Sequence, residues 1–286
     1  MKCLITGAKG QLGNEWVDFL KNKGISYSSC SSNQLDITDY NAVEEKLRED
    51  KPDVIINCAA YTGVDKAESE KEKAFHVNEK GVGILAELAE ELGAVFVHFS
   101  TDYVFAGNKK DREKYREGYD ESAPKRPVNT YGESKRAGEV LLENSHKNWL
   151  LIRVSWLCGQ YGSNFVKTMI RLGKEKAELQ VVDDQIGSPT FTFDVVEKTW
   201  QLLQMQKRGV YHISSKGTIS WADFAEEIFR ITNIKTHIKR ISTDEYPTAA
   251  QRPYYSKLSA KKIERAGIEP VYWKDGLMKL VNQLNS

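Results

Sequence analysis

The feature that most narrows the fold is a glycine-spaced turn. Thr6-Gly7-Ala8-Lys9-Gly10-Gln11-Leu12-Gly13 follows the apolar run Lys2-Cys3-Leu4-Ile5. It opens the segment Gln11 to Lys21, where Leu12, Trp16, Phe19 and Leu20 recur at helical spacing. Gly7, Gly10 and Gly13 let the backbone turn tightly and come close to a pyrophosphate, and the helix N-terminus adds N–H donors and a positive dipole end. A glycine pattern alone is a weak signal, and its bland reading is a plain tight turn. The strand before it and the helix after it make it a dinucleotide cradle.

The same alternation continues. Val54 to Cys58 reads as a strand, and Ala74 to Leu92 as a helix closed by Gly93. Val95 to Phe99 is a strand, Tyr131 to Glu143 a helix and Leu150 to Val154 a strand. Apolar strands separated by helices predict an α/β, Rossmann-type, doubly wound parallel sheet. After residue 155 the rhythm loosens. Helical patterns near 163–173, 190–204, 220–231 and 275–284, with strand-like pieces near 179–182 and 209–213, predict a smaller α/β C-terminal lobe. The expected division is a dinucleotide-binding domain over 1–155, rejoined by segments near 184–213, and a mainly substrate-binding lobe over 156–286. Gly107 to Pro127 is charged and aperiodic, and reads as an exposed loop.

Composition removes several function classes. Lys plus Arg number 41 and Asp plus Glu 40 in 286 residues, a net charge of +1, so no basic field invites nucleic acid. No apolar run approaches the roughly 18 residues of a membrane span, and the N-terminal run is too short for a signal peptide. Cys3, Cys30, Cys58 and Cys158 form no CxxC pair, so zinc is not expected and a reducing, cytoplasmic compartment is.

Tyr131-Gly132-Glu133-Ser134-Lys135 places a phenol and an ammonium four residues apart on one helical face. A neighbouring ammonium stabilises phenolate, so Lys135 is expected to lower the pKa of Tyr131 and suit it to proton transfer. The chance alternative is an exposed helix face. Position argues against it: the preceding strand ends in Phe99-Ser100-Thr101-Asp102, and ligands of doubly wound sheets lie beyond such strand ends. The second strand, near Ile25 to Ser29, runs into Ser28-Ser29-Cys30-Ser31-Ser32 with no carboxylate to repel a 2′-phosphate. NADPH is therefore expected to serve at least as well as NADH. Asp36 and Asp39 come slightly later.

These pieces resemble the extended short-chain dehydrogenase/reductases and, within them, the dTDP-4-dehydrorhamnose reductase family. The resemblance spans nearly the whole chain. It rests on the glycine turn, on Asn57-Cys58-Ala59-Ala60-Tyr61-Thr62-Gly63-Val64-Asp65-Lys66-Ala67-Glu68, and on Ser100-Thr101-Asp102-Tyr103-Val104-Phe105. The Tyr131–Lys135 pair, Arg153-Val154-Ser155-Trp156, Asn164 to Met169, Asp184-Gln185-Ile186-Gly187-Ser188-Pro189-Thr190, Ser220 to Ala225 and Arg252-Pro253 extend it. It implies that Gly7, Gly10, Gln11, Leu12 and Gly13 hold the cofactor pyrophosphate, with Asp36 and Ile37 near its adenosine. Ala59, Ala60, Tyr61, Asn78 and Ser100 would line the cofactor, along with Tyr131 and Lys135. Thr62, Val64, Thr101, Asp102, Trp156 and Arg252 would meet a dTDP-sugar, Arg252 at its diphosphate. Hydride would pass from nicotinamide to the C4 carbonyl, Tyr131 would donate the proton, and Thr101 would bond the developing oxyanion.

For Trp156 and Arg252 the bland readings are core packing and surface charge. Trp221, His98 and Cys58 read as packing residues. Some relatives bind Mg²⁺ between subunits through glutamates. Glu15 matches one such position, but Phe191-Thr192-Phe193 offers no second acid, so no metal is expected and the chain reads as a monomer or weak homodimer. Two alternatives remain. A nucleotide-sugar epimerase or dehydratase would share the fold, but dehydratases follow the threonine with Asp-Glu, and here Asp102 is followed by Tyr103. A non-catalytic subunit like the regulator of methionine adenosyltransferase would lack the Ala59-to-Glu68 segment.

Overall fold

The apolar strand runs alternate between two faces because successive side chains of a strand point oppositely. Cys3 and Ile5 join one core layer with Val97 and Ile152, while Leu4 joins another with Ile55 and Leu151. Six such runs form one parallel sheet in the computed structural model, which describes residues 1–145 and 147–285. They are β1 (Lys2–Thr6), β2 (Ser26–Cys30), β3 (Val54–Asn57), β4 (Val95–Thr101), β5 (Trp149–Val154) and β6 (Gly209–His212). The spatial order is β6-β5-β4-β3-β1-β2. Helices Gln11–Asn22 and Thr192–Gln204 cover one face through Trp16, Leu20, Val195 and Trp200. Helices Tyr40–Asp50, Gly81–Leu92 and Thr130–Ser145 cover the other through Val43, Leu85 and Leu142.

The chain steps outward from β1 to β2, then crosses back to place β3 on the opposite side of β1. That reversal opens a crevice beyond the carboxyl ends of β1 and β3. The glycine turn leaves β1 at this point.

A third core lies beyond the sheet. Strands Glu178–Val182 and His237–Ile241 pair in parallel, and helices Phe165–Glu175, Trp221–Thr232 and Trp273–Asn285 close around Val166, Phe224, Ile228 and Leu277. Ser220 and Asp223 form a reciprocal capping box at the start of Trp221–Thr232, which fixes where that helix begins.

Two expectations change in detail. The helix read over 74–92 is interrupted: Lys71–Phe75 leads into a π turn at His76–Lys80 before Gly81–Leu92. Gly93 does end it, in the left-handed conformation (φ 70°). The segment 107–127 is not simply an exposed loop. It holds a short helix, Asp111–Lys114, and buries Tyr119 against Phe105, with ring centroids 4.5 Å apart. The Tyr119 hydroxyl donates to Asp111 and accepts from the Gly107 N–H. One aromatic anchor among charged neighbours leaves no periodicity to read.

Candidate active site

Glycine is required at the turn by close backbone approach. Gly7 has φ 66°, and a Cβ there would lie 2.5–2.7 Å from the Cys58–Ala59 backbone. A Cβ at Gly13 would strike the Gly7–Ala8 backbone. The helix start is thus pressed against the ends of β1 and β3. Asn57 ties those ends together, its Oδ1 accepting from the Thr6 hydroxyl (2.7 Å) and the Ala59 N–H (3.1 Å).

Beyond the strand ends lies a cavity of about 620 Å³. Gly10, Gln11 and Leu12 enter it from the turn, and Ala59, Ala60, Thr62 and Val64 from the segment after β3. Ser100, Thr101 and Asp102 come from the end of β4, Tyr131 and Lys135 from the helix across it, and Trp156 from beyond β5. Six candidates have other places. Gly7 and Gly13 shape the turn. Asn78 is buried, and its amide is spent on the Tyr61 backbone (2.9 and 3.0 Å) and the Ser134 hydroxyl (3.0 Å), so it holds the cavity wall from behind. Asp36 is exposed and binds Thr38, which holds its carboxyl below the usual range, and Ile37 packs on Gly81. The Tyr61 ring turns outward, its hydroxyl donating to Glu70 (3.2 Å). The serines in and after β2 are also partly committed: Ser28 donates to Asp50 and Ser31 to Gln34.

The electrostatics of the Tyr131–Lys135 pair differ from expectation. Burial pushes the Tyr131 phenol up to about 12, the Asp102 charge adds to this, and only a hydrogen bond with Thr101 opposes it. Lys135 adds no lowering of its own; its Nζ donates to the Phe99 carbonyl (2.7 Å) and lies 3.4 Å from His98 Nε2. Burial also brings Lys135 down to about 8, against the pull of Glu139. The phenol therefore keeps its proton near neutrality, the state a proton donor needs. Thr101 Oγ donates to Asp102 Oδ1 (2.9 Å) and accepts from the Tyr103 N–H (3.1 Å). Asp102 is 3% exposed, and burial raises its carboxyl to about 7 despite bonds from Thr101 and Ser256.

A second cavity, of about 370 Å³, adjoins the first. Phe165, Trp221 and Tyr246 give it aromatic walls, with Gln185 and Arg252 as polar groups. Trp156 and Trp221 stack at 3.6 Å between ring centroids and form the partition. Trp156 takes a left-handed backbone (φ 47°), uncommon for a bulky residue, and its Nε1 donates to Ser256 (3.1 Å). Gly187 makes room: a Cβ there would lie 2.7 Å from the Trp156 ring. Trp221, which its helix pattern suggests is core, does pack against that core beside Phe165 and Phe224, but it is only partly buried and also walls the second cavity. Arg252 forks onto the Asp65 carboxylate at 2.7 and 2.6 Å, which fixes its guanidinium at the cavity edge. The sequence reading missed Asp65, Phe165, Gln185, Tyr246 and Ser256 as site groups. Asp65, Phe165 and Gln185 lay in segments already singled out; Tyr246 and Ser256 did not.

Glu15 is buried and accepts from the Thr192 hydroxyl (2.7 Å). Among the described residues no cluster of acids, histidines or cysteines could hold a metal, and no helix is long and apolar enough to cross a membrane.

A glycine cradle at the switch point of a parallel sheet, faced by a Tyr-x-x-x-Lys helix, defines a Rossmann-fold protein of the short-chain dehydrogenase/reductase type. Within that class the chain belongs to the RmlD substrate binding domain family, whose model matches residues 1–286. It is 41% identical over 285 residues to the spore coat polysaccharide biosynthesis protein SpsK of Bacillus subtilis, covering 100% of this chain and 98% of that one. It is 39% identical to the dTDP-4-dehydrorhamnose reductase of Aggregatibacter actinomycetemcomitans, covering 98% of both. Among solved structures, the dTDP-4-dehydrorhamnose reductase of Bacillus anthracis in complex with NADP superposes with a TM-score of 0.94 at 40% identity, covering 99% of each chain. The UDP-glucose 4-epimerase of Thermus thermophilus, at 20% identity and TM-score 0.86, shares the fold alone.

Proposed function

We propose that this chain is an NADPH-dependent reductase that converts dTDP-4-dehydro-β-L-rhamnose to dTDP-β-L-rhamnose. The observation that carries this reading is the meeting of Thr101, Tyr131 and Lys135 with the glycine cradle in one cavity. Relatives named as this reductase, alike over essentially the whole chain, support the substrate class, and the NADP-bound relative supports the cofactor. The turn suits a dinucleotide: Gly7 and Gly13 let it fold tightly onto backbone that any Cβ would strike, and Gly10 and Gln11 open a helix at the cavity mouth.

When bound, NADPH supplies the hydride for the C4 carbonyl carbon. The remaining work falls to side chains. Tyr131, held protonated, gives its phenolic proton to the C4 oxygen as charge develops. Thr101, turning its one hydroxyl hydrogen from Asp102 to that oxygen, offers it a hydrogen bond from the strand end. Lys135 then faces a phenolate and can restore its proton. Trp156 forms the platform between the sugar and nucleotide compartments, and Arg252, oriented by Asp65, meets the diphosphate. Residues 1–155 with 184–213 serve the cofactor, and most of 156–286 serves the substrate. We place the enzyme in the cytoplasm, a reading supported by four free cysteines, and take it as a monomer or weak homodimer, which sedimentation at working concentration tests.

NADPH deuterated at its transferable position tests the reaction. Deuterium at C4 of a dTDP-rhamnose product, with weaker use of NADH, is expected. Epimerised or dehydrated sugar without net NADPH oxidation, or binding without turnover, would overturn the proposal.

A further inference from the structure

A string of buried polar groups crosses the sheet beneath the cavity. Thr6, Asn57 and His98 are register neighbours on β1, β3 and β4, and none is more than 1% exposed. Asn57 Oδ1 takes two donors, the Thr6 hydroxyl and the Ala59 N–H, so its Nδ2 must face His98 Nδ1, 3.1 Å away. An amide nitrogen has only hydrogens to offer. His98 Nδ1 is therefore an acceptor, and the proton of the neutral ring lies on Nε2. Burial, and then the Lys135 charge, hold His98 well below its ordinary pKa, so the ring is neutral. Its Nε2–H points at Lys135 Nζ, 3.4 Å away.

An ammonium has three donors and no acceptor. One Lys135 hydrogen goes to the Phe99 carbonyl, and another meets the His98 donor. A neutral amine would accept there instead. The string thus opposes the charged form of the lysine.

We propose that His98 is a positioning residue: in the tautomer imposed by Asn57, it sets Lys135 against the Phe99 carbonyl and loosens the hold of Lys135 on its proton. This rests on the Tyr131–Lys135 reading above. Tyr131 gives its proton to the C4 alkoxide and becomes phenolate. Lys135 passes a proton to that phenolate and becomes an amine, and solvent in the cavity restores the ammonium. A loosely held proton makes the second step easier.

Other groups face Lys135. Glu139, on its own helix, is committed to Arg153 and Arg136. Cys58, beyond β3, is a thiol that burial keeps protonated. Tyr131 and Asp102 face the cavity. At the helix start, Glu68 binds Thr130 and Glu133 pairs with Lys71. Asn78, on the π turn, is uncharged.

The test is the pH profile of kcat for wild type and His98→Gln. The introduced amide is uncharged and can turn its oxygen to the ammonium. Wild-type kcat is expected to fall as pH rises through the Lys135 value of about 8. In His98→Gln that limb should move up by about one pH unit, since an acceptor replaces a donor. An unmoved limb would overturn the proposal. Histidine ¹⁵N NMR of the wild type is independent of turnover and of how the variant folds. It should show the His98 proton on Nε2, and a proton on Nδ1 would refute the argument. If the wild type fails to reduce the keto-sugar, the functional reading falls, while the tautomer and the Lys135 titration, followed by lysine NMR, still decide this inference.

Discussion

The two adjoining cavities are built in different ways. The crevice takes nearly every group from a strand end or helix start, so backbone register sets where Thr101, Tyr131 and Lys135 stand. The aromatic cavity is assembled from side chains far apart in sequence, among them Phe165, Trp221, Tyr246 and Arg252. Trp156 and Trp221 are the shared wall. A site made of strand ends suits chemistry, where small displacements are costly. A site made of rings and one forked arginine suits affinity for a nucleotide. The crevice should therefore govern kcat and the aromatic cavity KM.

The largest effect should come from the crevice. Tyr131→Phe removes the proton donor and keeps the ring packed on Tyr103, so kcat should fall about 10²–10⁴-fold with the melting temperature nearly unchanged. A fall in KM performance alone would erase the contrast between the cavities.

Next is the ion pair beneath the crevice. Arg153 and Glu139 are both fully buried and bonded at 2.8 and 2.9 Å. Glu139→Ala leaves the guanidinium unpaired and should cost about 3–5 kcal/mol, read by denaturant unfolding. Burial pushes the Glu139 carboxyl up, but Arg153 outweighs it and holds the folded value below the ordinary one. That contribution is therefore present above the ordinary glutamate range and is lost as pH falls through the lower folded value. A variant as stable as wild type would show that the strand ends need no such support.

In the aromatic cavity, Arg252→Ala should raise KM for the dTDP-sugar about 10–100-fold, the cost of removing one partner from a part-buried charge pair, with kcat much less affected. Trp221→Leu should raise KM about 3–10-fold, in line with the value of one aromatic stack. If either change acted mainly on kcat, the partition at Trp156 would not separate binding from chemistry.

The same contrast explains what could be read from the chain. The sheet, the glycine turn and the Tyr131–Lys135 helix follow from short-range periodicity and spacing, and the cavity residues at strand ends follow from them. The direction of the Lys135 side chain does not, because the Phe99 carbonyl that captures it belongs to another element. The expected lowering of the Tyr131 pKa is overturned by burial and by the Asp102 charge, which also depend on packing between elements. Trp221 read as core because helical spacing identifies an inward face but not which end of it opens on a cavity. The Asp65–Arg252 fork joins residues 187 positions apart, and Tyr119 is anchored by partners as distant as Tyr255 and Leu258. No local pattern announces either.

The central claim is that this crevice reduces a 4-keto dTDP-sugar with NADPH, using Tyr131 as proton donor. Loss of reduced-nicotinamide absorbance, followed with dTDP-4-dehydro-β-L-rhamnose for wild type and Tyr131→Phe side by side, tests it most directly. The account predicts stoichiometric oxidation with dTDP-rhamnose as product in the wild type and at least about a 10²-fold lower kcat in the variant. Full activity in Tyr131→Phe, or no oxidation in the wild type, would contradict it.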